Sequence, residues 1–231
     1  AGGGAAINLA AVTAENGTSA ETLTLDAGTG GNVTVTGAVG TNPLGLITLT
    51  NANDVDFQST IASAGITTTN AVDSFRAGGA VTTTAGITVL TDGESGGNGI
   101  NFASTVDAGG NAIRLAAAND VVFGGAVQSN ASTLTIEGAA LGTNFNLGDD
   151  ATGGALDISD ASIANIADNF TTITLGQTGY TGTMTLDTTD AAALTFGSNV
   201  TFVVDGGGDV VLNNNLDTTG GGATNRAVTV T

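Results

Sequence analysis

The chain has 231 residues, and 21 acidic residues against three arginines give it a formal net charge of −18. This charge repels nucleic acid phosphates and anionic membrane surfaces, so neither is an expected partner. The chain has no Cys, His, Trp or Lys, which excludes a Ser-His-Asp triad and Cys or Lys nucleophiles. No run of about 18 to 20 apolar residues is present that could span a bilayer as a helix.

Glycine is abundant, with 37 residues, yet short runs of Val, Ile and Leu recur along the chain. Disordered chains are poor in such branched aliphatic residues, so we expect a single folded domain over residues 1–231. The chain starts at Ala1 and a glycine run and not at Met. We interpret it as a processed product or as a segment of a larger protein.

A seven-residue pattern occurs six times, with apolar residues at its first, third and seventh positions and Gly, Ser or Asn at its fifth. These positions share one parity, so on a strand they point to one face. The small fifth position is where a strand can turn a corner without filling the interior. The copies begin at Val33, Val55, Ile100, Val121, Leu194 and Val210.

A second type of strand opens with aliphatic residues, and its copies follow one another at similar intervals along the chain. This spacing indicates one repeating unit of about 20 residues with loops of variable length, which is the signature of a repeat architecture. The members are Ile47/Leu49, Ile66, Ile87/Val89, Ile113/Leu115, Leu134/Ile136, Leu156/Ile158, Ile173/Leu175 and Leu194/Phe196.

Units of this size cannot bury an apolar face alone and have to stack on one another. The chain offers almost no helical segments of about a dozen residues, which βαβ crossovers need. The sequence therefore predicts an all-β fold, a right-handed parallel β-helix (β-solenoid) of about eleven coils. One stretch breaks the pattern, because Ile163, Ile166 and Phe170 recur at helical spacing between Asp160 and Phe170. It predicts a single helical turn packed on the side of the solenoid.

The run from Ile163 to Leu186 resembles a segment of large filamentous-haemagglutinin-like proteins and of β-strand-repeat bacterial surface proteins. The units of the form D-V-x-F-x-x-x-V, at Asp54–Ile61 and Asp120–Val127, resemble the same family. The resemblance covers most of residues 32–216. It implies a right-handed parallel β-helix that is secreted and displayed at a bacterial cell surface or shed as a fibre. It implies no catalytic residues.

Carboxylates are the remaining catalytic groups, and a paired-acid glycosidase or a lyase needs two of them on one face. The nearest candidates are Asp149-Asp150 and Asp205 with Asp209, which are also typical of solvated turns. We therefore predict no enzyme activity and assign no catalytic, cofactor-binding or metal-binding residue. We expect Arg76, Arg114 and Arg226 each to pair locally with an Asp on the outside of the rod.

Calcium remains a candidate ligand, because acidic turns such as Gly148–Asp150 offer oxygen ligands. The stretch Gly206–Asp209 is an isolated near match to a calcium-binding β-roll repeat. Paired threonines such as Thr22/Thr24 and Thr48/Thr50 are similar to those of ice-binding solenoids. Their spacing is irregular, which favours ordinary outward-facing threonines.

The function that the sequence favours is a structural subunit of an extracellular bacterial filament or matrix, which self-associates head to tail through the solenoid ends. The alternative is a stalk or passenger segment of a large surface adhesin, with glycan or cell-surface contacts made elsewhere or by side loops. A carbohydrate-active enzyme that uses Asp149, Asp150 or Asp209 is a third hypothesis. We expect the protein outside the cell or at its surface.

Overall fold

The computed structural model describes residues 3–16, 20–93, 99–148, 156–187, 193–218 and 226–231. This part of the chain contains 24 strands and one short helix, and the strands pair in parallel. They stack into a β-solenoid of about eight turns, which confirms the predicted all-β fold. The predicted right-handed sense and the total of eleven coils stay predictions.

The longest run of stacked strands, which we call column B, holds nine strands in parallel register. Their residue numbers advance by 19 to 28 in seven of the eight steps and by 39 in one. The strands are β2 (Leu23–Asp26), β4 (Val39–Asn51), β6 (Ile61–Thr68), β9 (Ile87–Leu90), β12 (Ile113–Ala117), β15 (Thr133–Gly138), β18 (Thr172–Gly176), β21 (Val200–Val203) and β24 (Val228–Val230).

The second sheet, column A, covers another side of the coil with six strands in parallel register. They are β1 (Ile7–Leu9), β3 (Val33–Val35), β5 (Asp54–Phe57), β7 (Ser74–Ala77), β10 (Ile100–Phe102) and β13 (Val121–Phe123). Three short strands that follow column A in the chain complete the third side, and β8 pairs with the first part of β6. They are β8 (Val81–Thr83), β11 (Val106–Asp107) and β14 (Val127–Gln128).

The C-terminal coils use two further sheets. The four-stranded sheet has the order β17-β16-β19-β22, and β17 packs against β13 of column A. Its members are β16 (Phe145–Gly148), β17 (Leu156–Ser159), β19 (Thr183–Asp187) and β22 (Asp209–Leu212), and a separate pair is formed by β20 (Leu194–Thr195) and β23 (Leu216–Asp217).

The core consists of aliphatic residues that lie directly over aliphatic residues of the next coil. In column B one ladder of partners is formed by nine successive inward residues, most of them fully buried. The ladder runs through Leu23, Ile47, Ile66, Ile87, Ile113, Leu134, Ile173, Val200 and Val228. Six of the eight predicted aliphatic openings belong to this ladder.

The other two predicted openings, Leu156 and Leu194, do not belong to the ladder of column B. Leu156 pairs with Phe145 in the four-stranded sheet, and Leu194 pairs with Leu216. The true successor of Leu134 is Ile173, because the coil between them, which we call the long coil, contains additional strands. A repeat of uniform length therefore predicts the wrong partner at this step.

Four of the six predicted seven-residue copies stack as expected, those that begin at Val33, Val55, Ile100 and Val121. Their first residues pair within column A, and their seventh residues form a buried ladder around the corner. The copies at Leu194 and Val210 begin in the C-terminal sheets and do not align with the other four. A seventh copy, Phe75–Val81, was missed although it fits the pattern and fills the gap between the second and third copies.

The small residue at the fifth position is explained by close approach of successive coils. A Cβ atom at Gly37 would lie 2.1 Å from the carbonyl oxygen of Ala10. At Gly125 a Cβ would lie 2.8 Å from the carbonyl carbon of Ser104. Any side chain at Gly37 or Gly125 would therefore push neighbouring coils apart.

Phenylalanines form a second continuous contact along the core. The ring centroids of Phe57, Phe75, Phe102 and Phe123 follow one another at 6.1, 5.6 and 6.3 Å. In the ladder of partner residues, Ala77 lies between Phe57 and Phe102. Phe75 occupies the preceding inward position of the same strand as Ala77. The alternation gives each ring room, and contacts of this kind add about 0.5 to 1.5 kcal/mol each.

The predicted helical turn exists as α1 (Asp160–Ala164), with Ser159 as its N-cap. It does not simply pack on the side of the rod. The hydroxyl oxygen of Ser162 accepts a hydrogen bond from the Phe123 backbone N–H at 3.1 Å, and the Asn165 side chain donates one to the Phe123 carbonyl at 2.6 Å. The helix region thus satisfies the open backbone edge of β13, where the next strand would otherwise be needed.

The long coil is held in place by Tyr180, whose side chain is fully buried. Its hydroxyl group donates a hydrogen bond to the Thr143 carbonyl at 2.6 Å, and its ring meets Phe145 edge-on at 5.7 Å between centroids. Burial raises the pKa of Tyr180 to about 12. The tyrosine therefore stays protonated, and remains a hydrogen-bond donor, over the physiological pH range.

The in-register core predicts that substitutions at adjacent residues of one strand change the free energy of unfolding by very different amounts. Leu134 is fully buried in the ladder, whereas Thr135 points outward. We expect Leu134→Ala to lower the free energy of unfolding by about 2 to 5 kcal/mol, because it leaves a cavity that rigid neighbours cannot fill. The matched variant Thr135→Ala should change it by about 0.5 kcal/mol or less. Urea unfolding followed by circular dichroism measures both, and equal effects would contradict the predicted inward and outward faces.

Candidate functional site

Of the predicted candidate acids, the structure describes Asp205, which lies in a turn, and Asp209, which begins the strand after it. Asp149 and Asp150 lie outside the described residues. Asp205 accepts a hydrogen bond from the Gly179 backbone N–H at 2.6 Å, so its carboxylate fastens a turn of the neighbouring coil. Asp209 begins β22, is exposed and donates its backbone N–H to the Gly182 carbonyl at 3.1 Å.

The glycine run before Asp209 is explained by packing between coils. A Cβ at Gly206 would lie 2.2 Å from the Gly179 carbonyl oxygen, and one at Gly208 would lie 2.6 Å from that of Gly182. The described residues contain no group of three or more Asp or Glu side chains placed to hold a metal ion. Calcium, for which the sequence assigns no binding residue, stays an untested candidate ligand of these turns.

Two of the three arginines pair with carboxylates of an adjacent coil. Arg76 contacts Asp56 at 2.8 Å between Nη1 and Oδ1, in an exposed pair as the sequence predicts. Arg114 instead pairs with Glu137 and not with an Asp. Arg226 has no carboxylate partner within the part of the chain that the structure describes.

The Arg114–Glu137 pair lines a cavity of about 170 Å³ together with Thr91 and Gln177. Glu137 is only 6 % exposed although its strand position points away from the core, because turns of neighbouring coils cover it. Burial raises the pKa of Glu137, and the nearby Arg114 guanidinium partly offsets this rise. This carboxyl group cannot be identified from the sequence, since a single Glu in a strand has no distinguishing pattern.

The cavity has the features of a buried polar site. Among the described residues that line it Glu137 is the only acid, whereas paired-acid hydrolysis needs two carboxylates. The Thr91 side chain is fully buried, and its hydroxyl group has no hydrogen-bond partner among the described residues. The cavity therefore offers hydrogen-bonding groups and an ion pair.

A neighbouring groove of about 330 Å³ is lined mainly by amide and carboxylate side chains of consecutive turns. Asn70 donates to the Asn51 side-chain oxygen at 2.9 Å, and Asn51 donates to Asp26 at 3.1 Å. These contacts link one coil to the next, which is a structural use for the frequent asparagines.

The outward face of column B carries an uninterrupted series of partner residues in which eight of nine are threonines. Irregular spacing in the sequence therefore does not prevent alignment in space, because the turns absorb the differences in coil length. The position two residues earlier holds Leu46 and Gly65 in successive strands, so a flat face with two threonines per coil is absent there. The series is Thr24, Thr48, Thr67, Thr88, Arg114, Thr135, Thr174, Thr201 and Thr229.

The two ends of the coil stack are the most unusual surfaces of the described residues. At the C-terminal end, Leu212 and Val230 are each 57 % exposed and Val228 is 45 % exposed, although they occupy inward core positions. Their partners one coil earlier, Leu186, Phe202 and Val200, are at most 1 % exposed.

The N-terminal end is similarly open. Strand β2 pairs only with β4 and β1 only with β3, so each leaves one backbone edge unpaired within the described residues. Ile7, Leu9, Val12 and Leu23 are partly buried apolar residues at this end. Both ends thus present apolar core positions beside free strand edges, and these are the candidate binding surfaces.

No family model, no curated protein and no solved structure matches this chain. The resemblance to filamentous-haemagglutinin-like and β-strand-repeat surface proteins therefore stays a prediction. No helix among the described residues is long and apolar enough to cross a membrane.

The buried Glu137 predicts a specific pH dependence. Because its pKa is raised from 4.5 in the folded protein, the folded state binds this proton more tightly than the unfolded state does. Stability therefore falls as the pH rises from about 4.5 through the raised pKa. Glu137→Gln lacks this titration. As the pH rises over that interval, the free energy of unfolding of the variant should therefore increase relative to that of the wild type, as measured by urea unfolding at several pH values.

The variant Arg114→Gln provides the matched control for this experiment. It removes the charge that lowers the pKa of Glu137, so the loss of stability should extend to higher pH. A difference between Glu137→Gln and the wild type that stays constant with pH would show that Glu137 is not the titrating group.

Proposed function

We propose that this protein is a structural subunit of an extracellular bacterial filament or matrix, in which copies assemble head to tail through the solenoid ends. The observation that carries the proposal is the exposure of core positions at the C-terminal end, where Leu212, Val228 and Val230 have no covering coil among the described residues. In the rest of the ladder a further coil covers the equivalent residues.

The N-terminal end offers a matching surface. Strands β22, β23 and β24 form the last coil, while β1, Val12 and β2 form the first, so each coil has three sides that can stack. A second copy placed on the end would add β2 to the open edge of β24 in parallel register. Such a contact joins two different surfaces and does not close on itself, and therefore it generates a fibre.

The energetics require more than the apolar contacts. Burying the remaining half of Leu212, Val228 and Val230 contributes roughly 1 kcal/mol per side chain. Together this is well below the about 8 kcal/mol of a micromolar contact. The apolar residues at the N-terminal end and the backbone hydrogen bonds of the open strand edges have to contribute the remainder.

The extracellular location rests on the resemblance to surface proteins and on the charge of the chain. The net charge of −18 is spread along the sequence and would keep long assemblies soluble and separate from one another. Asparagine side chains add hydrogen bonds from coil to coil, which suit a rigid rod.

The alternative, a stalk segment of a large adhesin, uses the same open ends in a different way. In a stalk, the covering coil at each end is supplied by the same polypeptide, and binding resides elsewhere. This alternative predicts that the isolated chain does not form ordered filaments, since its ends are meant for a neighbour of different sequence.

Filament formation can be tested with two variants in the same strand. Val230 occupies an inward position at the open end, whereas Thr229 points outward. We expect Val230→Asp to abolish filaments in negative-stain electron microscopy, because it places a charge in the stacking surface. Thr229→Asp adds the same charge on the outer face and should leave filaments in place. Wild-type protein that stays monomeric at high concentration would contradict the proposal and favour the stalk.

A further inference from the structure

The two ends of column B carry opposite charges at equivalent positions. Glu21 lies two residues before Leu23, and Arg226 lies two residues before Val228. Leu23 and Val228 are the first and last members of one ladder of partner residues. At the same position the seven strands between them carry only uncharged residues, which are Gly45, Ala64, Ala85, Asn111, Ser132, Thr171 and Ser198.

Both charged side chains contain a buried atom that has no partner. Oε2 of Glu21 and Nε of Arg226 are inaccessible to solvent and form no hydrogen bond with the described residues. Each residue as a whole is only partly buried, and leaving a buried polar atom unpaired costs free energy. The backbone near both residues is nevertheless held in register, because the Glu21 carbonyl accepts from Gly45 N–H at 2.7 Å and the Ala227 carbonyl accepts from Val200 N–H at 2.9 Å.

The other two arginines show how this chain uses its few cations. Arg76 on β7 pairs with Asp56 on the adjacent strand β5. Arg114 on β12 pairs with Glu137 on the adjacent strand β15. In both cases the carboxylate belongs to an adjacent coil of the stack. Arg226 has the uncharged Ser198 at the equivalent position of the preceding coil, and the described residues contain no following coil.

We infer that Arg226 of one copy pairs with Glu21 of the next copy at a head-to-tail junction, which sets the register and the polarity of the filament. This inference rests on the proposed function and specifies which residues of two copies are in contact at the junction. Stacking Leu23 of one copy on Val228 of another continues the ladder by one step, and it brings Glu21 beside Arg226. Head-to-head or tail-to-tail contacts place like charges together, which is unfavourable, and so only the polar arrangement is favoured.

The test uses three charge-reversal variants of the full chain: Arg226→Glu, Glu21→Arg, and the double variant with both changes. In each single variant, the residues at positions 21 and 226 of adjacent copies carry like charges at every junction. We expect the critical concentration for assembly, measured by sedimentation, to rise about tenfold or more in each single variant. The double variant restores opposite charges and should assemble within about threefold of the wild type.

Mixing provides an independent readout. Neither single variant should assemble alone near the wild-type critical concentration, but an equimolar mixture should, because every junction between unlike copies joins opposite charges. Arg76→Glu makes the same change in net charge as Arg226→Glu, but in the middle of the rod, and should leave the critical concentration nearly unchanged. Circular dichroism of the unassembled variants shows that each remains folded.

The outcomes separate this inference from the proposed function. If the wild type and all variants assemble equally well, the filament proposal holds and the pair is wrong. If the double variant and the mixture fail to recover although both are folded, the two residues do not face each other and the inference is overturned. If the wild type itself does not assemble, the proposed function fails, and the junction fails with it.

Discussion

The structure depends on one constraint, the stacking of each inward aliphatic residue on the corresponding residue of the next coil. A single coil is too small to bury its own apolar face, so every coil needs a neighbour on each side. This requirement explains why glycines mark the tight corners and why asparagines link successive turns. It also explains why Val228 and Val230 are exposed, since among the described residues no further coil is stacked on them, whereas Ile113 and Leu134 have a coil on each side.

Much of the fold could be predicted because the inward positions of a short strand can be recognised in the sequence as alternating apolar residues. The ladder from Ile47 to Leu134 follows from aliphatic spacing alone, and the helical turn at α1 follows from Ile163 and Ile166. The long coil could not be predicted, because Leu156 and Ile158 fit the inward pattern as well as Ile173 and Leu175 do. Only the pairing of β16 with β17 and the capping of β13 by Ser162 and Asn165 decide between them.

The candidate sites were less accessible to sequence reasoning. The prominent acids, Asp205 and Asp209, lie in turns and coil contacts, whereas Glu137, a buried carboxyl group, has no distinctive neighbours in the sequence. Its burial follows from turns of other coils that fold over an outward position. The relation of Glu21 to Arg226 likewise emerges only when the ladder connects both ends of the chain.

The register across the long coil is the most direct test of the stacking constraint, and disulfide formation can measure it because the native chain has no cysteine. Thr135 and Thr174 are partners on neighbouring strands, and the strand spacing of about 4.8 Å suits a disulfide. The stacking constraint predicts that Thr135→Cys with Thr174→Cys forms an intramolecular disulfide under mild oxidation. Formation of the disulfide in Thr135→Cys with Asp157→Cys instead would mean that the regular repeat continues through this stretch, and it would contradict the structure described.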